Sequence, residues 1–285
     1  MNSVGFLGPK ATFTHFAVSS MFPTSEKVPF HTIPEVIDAV GSGEVVWGVV
    51  PLENALEGSV NLTIDYLIHS VPLHIVAELV TPIKQHLMVC PDNANNWRNI
   101  TKVYSHSHAI AQCHKFLHQQ FKGLELEHTS STSAAAQFVS ENPDLPIAAI
   151  ANKMAAEEYK LKVVQENIHD YSHNHTRFVV LHKVMKNLET DNSLYKGDKT
   201  TLVITLPSDE EAGALHQVLS AFAWRKLNLS KIESRPMKTG LGHYFFIIDI
   251  EQKMDKVLIP GAIAELEALG CSIKVLGSYP YYQIK

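Results

Sequence analysis

Thr176, Arg177 and Phe178 open an apolar run, and Asn174 stands two residues before them. The planar guanidinium of an arginine matches a carboxylate through two parallel hydrogen bonds. The plain alternative is a buried Arg177 paired with Asp170 or Glu53. A threonine hydroxyl is too weak an acid to ionise near neutral pH. It can still hydrogen-bond a departing oxygen, or pass its proton in a concerted step. A β-branched residue such as Thr176 equally suits the start of a strand. Glu53-Asn54 and Asn174 add a carboxylate and two amides. Each amide has donors and an acceptor that can fix a hydroxyl's orientation, although asparagine is also an ordinary turn residue. His106 is the better acid near pH 7 by residue type. Residues 8–14 and 131–132 each lead into a predicted helix. N–H groups at a helix start attract anions, so Thr12, Ser131 and Thr132 are candidates for ligand contact as well as for plain capping.

The pairs His106/His108, His114/His118 and His173/His175 have spacings that suit a metal, but none brings a third ligand in sequence, and no metal site is expected. Cys90, Cys113 and Cys271 are odd in number and widely spaced, which fits neither a disulfide framework nor zinc. The chain has 285 residues, 45% apolar and 19% charged, with a net charge of −5. That length suggests about two domains. The acidic balance, without a dense basic run, argues against nucleic acid as a partner. The first residues have neither a basic segment nor a long apolar one, so no signal peptide is expected. No stretch reaches the roughly 18 apolar residues of a membrane span. The expectation is a cytoplasmic protein with reduced thiols and no membrane partner.

Candidate strands at 4–7, 47–50, 74–78, 86–90, 102–104, 124–128, 147–150, 162–165 and 177–181 alternate with candidate helices at 13–20, 34–40, 60–69, 108–119, 132–140 and 153–159. This alternation predicts α/β units on largely parallel sheets. The number of strands suggests two lobes with a cleft between them, where a small ligand would bind. Lobe 1 would take residues 1–78 and 166–183, and lobe 2 residues 79–165, within a domain of residues 1–183. Residues 184–199 are polar, lack periodicity and read as a linker. Beyond it, strand 201–206, helix 214–226, strands 228–234 and 243–250, helix 260–269 and strand 272–277 predict a ferredoxin-like βαββαβ domain over residues 200–285.

Two motifs carry a family resemblance. Tyr159-Lys160-Leu161 through Val164, then Asp170 and Thr176-Arg177-Phe178, is similar to the active-site signature of prephenate dehydratases. Glu233-Ser234-Arg235-Pro236 is similar to the E-S-R-P signature of the regulatory ACT domain fused to that enzyme. Weaker blocks agree. G-P-K-A-T-F-T at 8–14, P-L-E-N-A-L-E-G at 51–58, S-H-S-H-A-I-A-Q-C at 105–113, S-T-S-A-A at 131–135 and Gly213-Ala214-Leu215 resemble the family's blocks in order. Ala11, Ala55, Ser107 and His108 depart from the usual residues of those blocks.

The resemblance implies an enzyme that converts prephenate to phenylpyruvate, water and carbon dioxide, with a catalytic domain whose lobes resemble type II periplasmic binding proteins. Aromatisation drives the elimination, so no cofactor is required. The protein must orient a dianion and help a hydroxyl leave. On this reading Thr176, Arg177 and Phe178 are catalytic. Thr12, Glu53, Asn54, Ser105, His106, Ser131, Thr132 and Asn174 contact substrate. The second domain would bind L-phenylalanine as an allosteric effector through Gly213, Ala214, Leu215, Glu233, Ser234, Arg235 and Pro236. The loop at 208–213 would hold the effector's carboxylate, and paired ACT domains would make a homodimer or homotetramer. Arogenate dehydratase, a solute-binding module and a non-catalytic phenylalanine sensor are the competing readings.

Overall fold

The computed structural model describes residues 3–186, 188, 192–207, 213–237 and 244–285. The chain is α/β and divides into two compact units. One comprises Met1–Val71, Val80–Phe178 and Ile284–Lys285, the other Pro72–Leu79 and Val179–Gln283. Among the described residues no helix is long and apolar enough to cross a membrane.

The first unit opens with β1 (Ser3–Leu7), α1 (Phe13–Met21), β2 (Glu26–Phe30), α2 (Ile33–Ser42) and β3 (Trp47–Asn54). β1 runs parallel to both β2 and β3, and α1 and α2 supply the crossovers that parallel neighbours need. α2 starts where its sequence dictates. Thr32 accepts from the Glu35 N–H, Glu35 accepts from the His31 N–H, and Pro34 occupies the first turn. No strand was expected at β2, which contains Pro29. β2 lies at the sheet edge, where a missing N–H breaks no ladder. β4 (Gly58–Ser59) folds back antiparallel on the end of β3, and α3 (Asn61–His69) follows.

β5 (His74–Pro82) passes from the second unit into the first, which then builds a separate sheet. Its elements are β6 (His86–Val89), β7 (Lys102–Ser105), α4 (Ser107–Gln112), α5 (His114–Gln120), β8 (Glu125–His128), α6 (Thr132–Glu141), β9 (Ile147–Ala151), α7 (Lys153–Glu158) and β10 (Lys162–Gln165). The strand order is β10-β6-β9-β7-β8. β7 is parallel to β8 and β9, whereas β6 runs against β9 and β10. The sheet is therefore mixed rather than largely parallel: the α7 crossover from β9 to β10 skips one position, and β6 fills it. β9 is buried on both faces. Ile147, Ala149 and Ala151 pack with Ala135 and Val139 of α6, while Ala148 and Ile150 pack with Ile110 and Leu117 of α4 and α5. This is the period of two that a central strand imposes.

One expected helix over 108–119 is two. Asp170 breaks it: its N–H binds the Gln112 carbonyl at 2.6 Å and its carboxylate accepts from the Lys115 N–H at 3.3 Å. The first bond occupies an acceptor of the helix and the second caps α5, leaving Cys113 at φ −114°, ψ 14° between them. β11 (His175–His182) then carries the chain from the first unit back to the second.

The second unit holds β12 (Tyr195–Thr205), α8 (Ala214–Ala223), β13 (Leu229–Pro236), β14 (Tyr244–Ile250), α9 (Leu258–Ala268) and β15 (Ser272–Gln283). These strands are antiparallel in the order β13-β14-β12-β15. Leu202, Ile204 and Ile248 form a core with Val218 and Phe222 of α8 and Ile259 and Leu266 of α9. β12 begins at Tyr195, inside the segment read as a linker, because Tyr195–Lys199 pairs with the extended end of β15. Gly277 makes that course possible: a Cβ there would stand 2.1 Å from the Ile75 carbonyl oxygen. Residues 187 and 189–191 of the expected linker, and residue 243 of the expected strand 243–250, lie outside the described residues.

Candidate active site

A cavity of about 590 Å³ lies in the first unit. Four local starts and ends build its wall. α1 contributes Thr12, Phe13 and Thr14; the β3–β4 turn contributes Asn54 and Glu57; α4 contributes His106, His108 and Gln112; and α6 contributes Ser131 and Thr132. Thr176 and Phe178 of β11 complete it. Thr12 and Ser131 are both N-caps, accepting from the His15 and Ala134 N–H groups at 3.2 and 3.0 Å. The first-turn N–H groups of a helix have no partner within it, so α1 and α6 present donors and positive dipole ends to one space. Among the described residues, no lysine or arginine lines the cavity and Glu57 is its only carboxylate. An anion held here is held by dipoles, hydroxyls, amides and the ring N–H groups of His31, His106 and His108.

Asn54 organises the centre. Its Oδ1 accepts from the Leu56 and Glu57 N–H groups at 3.0 and 3.1 Å, which fixes the turn and the orientation of the amide. Its Nδ2 then donates to Thr176 Oγ1 at 2.8 Å. A hydroxyl that accepts in this way keeps its own hydrogen for another partner. Thr176 thus presents a proton from a buried, fixed position.

Arg177 does not line the cavity. Strand side chains alternate, so the residue between Thr176 and Phe178 faces the other way. Its Nη1 donates to Glu53 Oε2 at 2.6 Å, and Glu53 is off the wall by the same alternation. The geometry thus matches the plain alternative of a paired arginine, not a carboxylate clamp. Two other expected substrate contacts are also off the wall. Ser105 is fully buried and donates to the Ile150 carbonyl at 2.7 Å. Asn174 is 3% exposed and donates to Gln112 Oε1 at 3.1 Å, so it holds a wall residue in place. Ala55 is exposed and off the wall as well, so that departure from the family block takes no hydroxyl from the cavity.

His106 caps α4, with Nδ1 accepting from the His108 N–H at 3.4 Å. Burial first, and then the neighbouring His108, hold its imidazole below the usual histidine range. It is neutral near pH 7 and a poor source of protons. His108 Nδ1 stands 3.7 Å from Glu57 Oε2. His108, singled out in the sequence only as a departure from its family block, is a wall residue, and so are Glu57, Gln112 and Gln85, none of which was named as a candidate contact. His108, Glu57 and Gln112 sit inside the family blocks. Gln85 lies between two strands in no block and carries no sequence signal.

The other unit holds the remaining candidates. Gly213 caps α8 in a left-handed conformation at φ 97°, and Ala214 and Leu215 begin the helix. Glu233, Ser234, Arg235 and Pro236 end β13. Glu233 lies 3.1 Å from Lys231 and 3.8 Å from Arg235, all on one face of the strand. Residues 208–212 of the expected effector loop lie outside the described residues.

Histidine burial beside the site has a stability consequence. His86 is 2% exposed, accepts from the Asn167 N–H at 3.1 Å, and has a pKa lowered to about 4 by burial and, next, by Lys153. Unfolded, it would titrate near 6.5. The unfolded chain therefore takes up a proton that the native chain refuses. The stabilisation is complete above pH 6.5 and is lost as pH falls toward 4. The expected slope for this one group is about 1.4 kcal/mol per pH unit across that window. His15, His106 and His169 are shifted in the same direction. Urea midpoints measured between neutral pH and pH 5 should fall, and should fall less steeply in His86→Asn. Equal slopes in the two proteins would exclude His86 as a source.

The family model for prephenate dehydratase matches residues 4–186. The prephenate dehydratase of Bacillus subtilis is 61% identical over 283 residues, covering 99% of each chain. Among solved structures, prephenate dehydratase from Arthrobacter aurescens in complex with L-Phe superposes with a TM-score of 0.85 at 33% identity, covering 97% of this chain and 89% of the other. The Staphylococcus aureus prephenate dehydratase gives a TM-score of 0.81 at 31% identity, covering 97% of this chain and 99% of the other.

Proposed function

This chain belongs to the prephenate dehydratase family, and we propose that it catalyses the decarboxylating dehydration of prephenate to phenylpyruvate in L-phenylalanine biosynthesis, under feedback control by L-phenylalanine. One observation carries the chemistry: Thr176, on the wall of a cavity fronted by two helix starts, accepts from Asn54 and so directs its own proton elsewhere. The substrate dianion loses its ring carboxylate as carbon dioxide. The electron pair of the breaking carbon–carbon bond enters the ring and expels the opposite hydroxyl. One proton is consumed, so the products are the phenylpyruvate monoanion, carbon dioxide and water. Thr176 supplies the hydrogen bond, or the proton, that the departing oxygen needs. The starts of α1 and α6 hold the carboxylates. Arg177 and Glu53 act as a positioning pair behind Thr176 and Asn54, and Phe178 shapes the apolar side of the cavity.

The domain reading follows the same lines. Residues 1–183 form the catalytic domain, with lobes of 1–78 plus 166–183 and of 79–165 in the manner of type II periplasmic binding proteins. The segment after residue 183 leads to an ACT domain that begins with β12 at Tyr195, ahead of the residue 200 read from the sequence. The β-α-β-β-α-β order of the second unit and Glu233-Ser234-Arg235-Pro236 on β13 support that assignment. A solved relative carries L-Phe, which supports L-phenylalanine as the effector, with Gly213, Ala214, Leu215 and the β13 segment as its contacts. Paired ACT domains would make the enzyme a homodimer or homotetramer, and the setting is the cytoplasm.

Glu57 favours one other substrate: a wall carboxylate suits the ammonium of arogenate. Phenylpyruvate and phenylalanine formation should therefore be followed from prephenate and from arogenate, with and without L-phenylalanine. Turnover of prephenate that L-phenylalanine suppresses is expected. Turnover of arogenate alone would replace this reading with the sister activity. Binding of L-phenylalanine without turnover of either would make the chain a sensor.

A further inference from the structure

Gln85 follows β5, is 2% exposed and lines the cavity. Its backbone is held on both sides: the N–H donates to His169 Nδ1 at 3.3 Å, and the carbonyl accepts from the Ile168 N–H at 2.9 Å. The side-chain oxygen is buried and has no hydrogen-bond partner among the described residues. The other amide oxygens of the wall are engaged, that of Gln112 by Asn174 and that of Asn54 by its own turn. Native chains leave few buried acceptors unmet, and the terminal amide of this wall residue can turn its oxygen to a donor brought by the ligand.

We propose that Gln85 receives the hydrogen of the substrate's leaving hydroxyl. The proposal rests on prephenate as the substrate. Both carboxylates and the ketone of the prephenate dianion only accept hydrogen bonds, so the ring hydroxyl is the one donor it can offer. With its hydrogen on Gln85, the hydroxyl turns its lone pairs outward, and Thr176 meets one of them with its own hydrogen. When the carbon–oxygen bond breaks, the oxygen leaves as water, bearing the hydrogen that Gln85 held and the one proton the reaction consumes. Phenylpyruvate has no ring hydroxyl and gives Gln85 nothing to accept. The residue therefore distinguishes substrate from product.

Gln85→Met keeps the length of the side chain and removes the amide. It should lower kcat for prephenate roughly 10- to 100-fold. Competitive inhibition by phenylpyruvate should stay within about twofold of wild type, and the melting temperature should hold or rise, because an unmet acceptor has been removed. A kcat/KM within roughly threefold of wild type would overturn the proposal. So would an equal loss of phenylpyruvate affinity, or a fall in melting temperature that parallels the loss of rate, since either marks a packing role. Wild-type turnover of prephenate in the same assay tests the substrate reading separately. If wild type does not turn prephenate over, calorimetric titration of both proteins with prephenate and with phenylpyruvate decides the role of Gln85. A loss confined to prephenate supports it, and equal affinities in the two proteins reject it.

Discussion

Thr176→Val should lower kcat for phenylpyruvate formation by roughly 10²- to 10⁴-fold, the range a positioned proton donor contributes, and should leave KM within a few-fold of wild type. Valine preserves the branched shape of a side chain that is 9% exposed on β11, so the fold and the cavity wall persist. The only thing removed is the hydroxyl that Asn54 orients at 2.8 Å. On the proposed mechanism the hydroxyl serves the departing oxygen, and the loss is therefore expected in the transition state rather than in substrate binding. Thr176→Ser, which restores a hydroxyl without the methyl, should recover most of the rate. His106→Gln should cost far less, because burial keeps that imidazole neutral. A valine variant with near-normal kcat would remove Thr176 from the mechanism, and a collapse in His106→Gln would move the donor there.

Lys199→Met should destabilise the second unit by about 3–5 kcal/mol, the usual penalty for breaking a buried ion pair from one side. Glu78 is fully buried on β5, and Lys199 Nζ stands 2.7 Å from its Oε1. The same ammonium lies 4.7 Å from the Tyr281 ring centroid, which adds a cation–π contact. Methionine keeps most of the lysine stem but leaves the carboxylate buried without that cation. The double variant Glu78→Leu with Lys199→Met should regain most of the loss, because two well-packed apolar side chains can match a buried pair. Denaturation midpoints of the two proteins provide the check. A single variant that loses less than about 1 kcal/mol would show the pair to be no stronger than an exposed one.

Several elements could be read from the chain without its fold. Thr32-Ile33-Pro34-Glu35 announces α2 because a capping box is a local device. Ser131 and Thr12 announce α6 and α1 for the same reason. Most strands of the first unit stood out as short apolar runs, while the two-residue β4 and β2 did not; only the place of β2 at the sheet edge makes Pro29 tolerable. The polar start of β12 read as linker because Tyr195–Lys199 owes its strand to pairing with β15, a partner more than seventy residues away.

The candidate site divides in the same way. By itself the sequence, through motifs that resemble those of the family, determined the family and pointed to the Thr176 segment, the Asn54 turn and the two helix starts as candidates for one site. Only the tertiary structure decided which side of a strand or turn each residue faces. It turned Arg177 onto Glu53, sank Ser105 against a carbonyl and set Asn174 behind Gln112. It also brought Gln85, silent in sequence, to the cavity wall. The physical reason is that capping, turns and periodicity are decided within a few residues, whereas the partner of a buried polar group is decided by chain segments tens of residues apart.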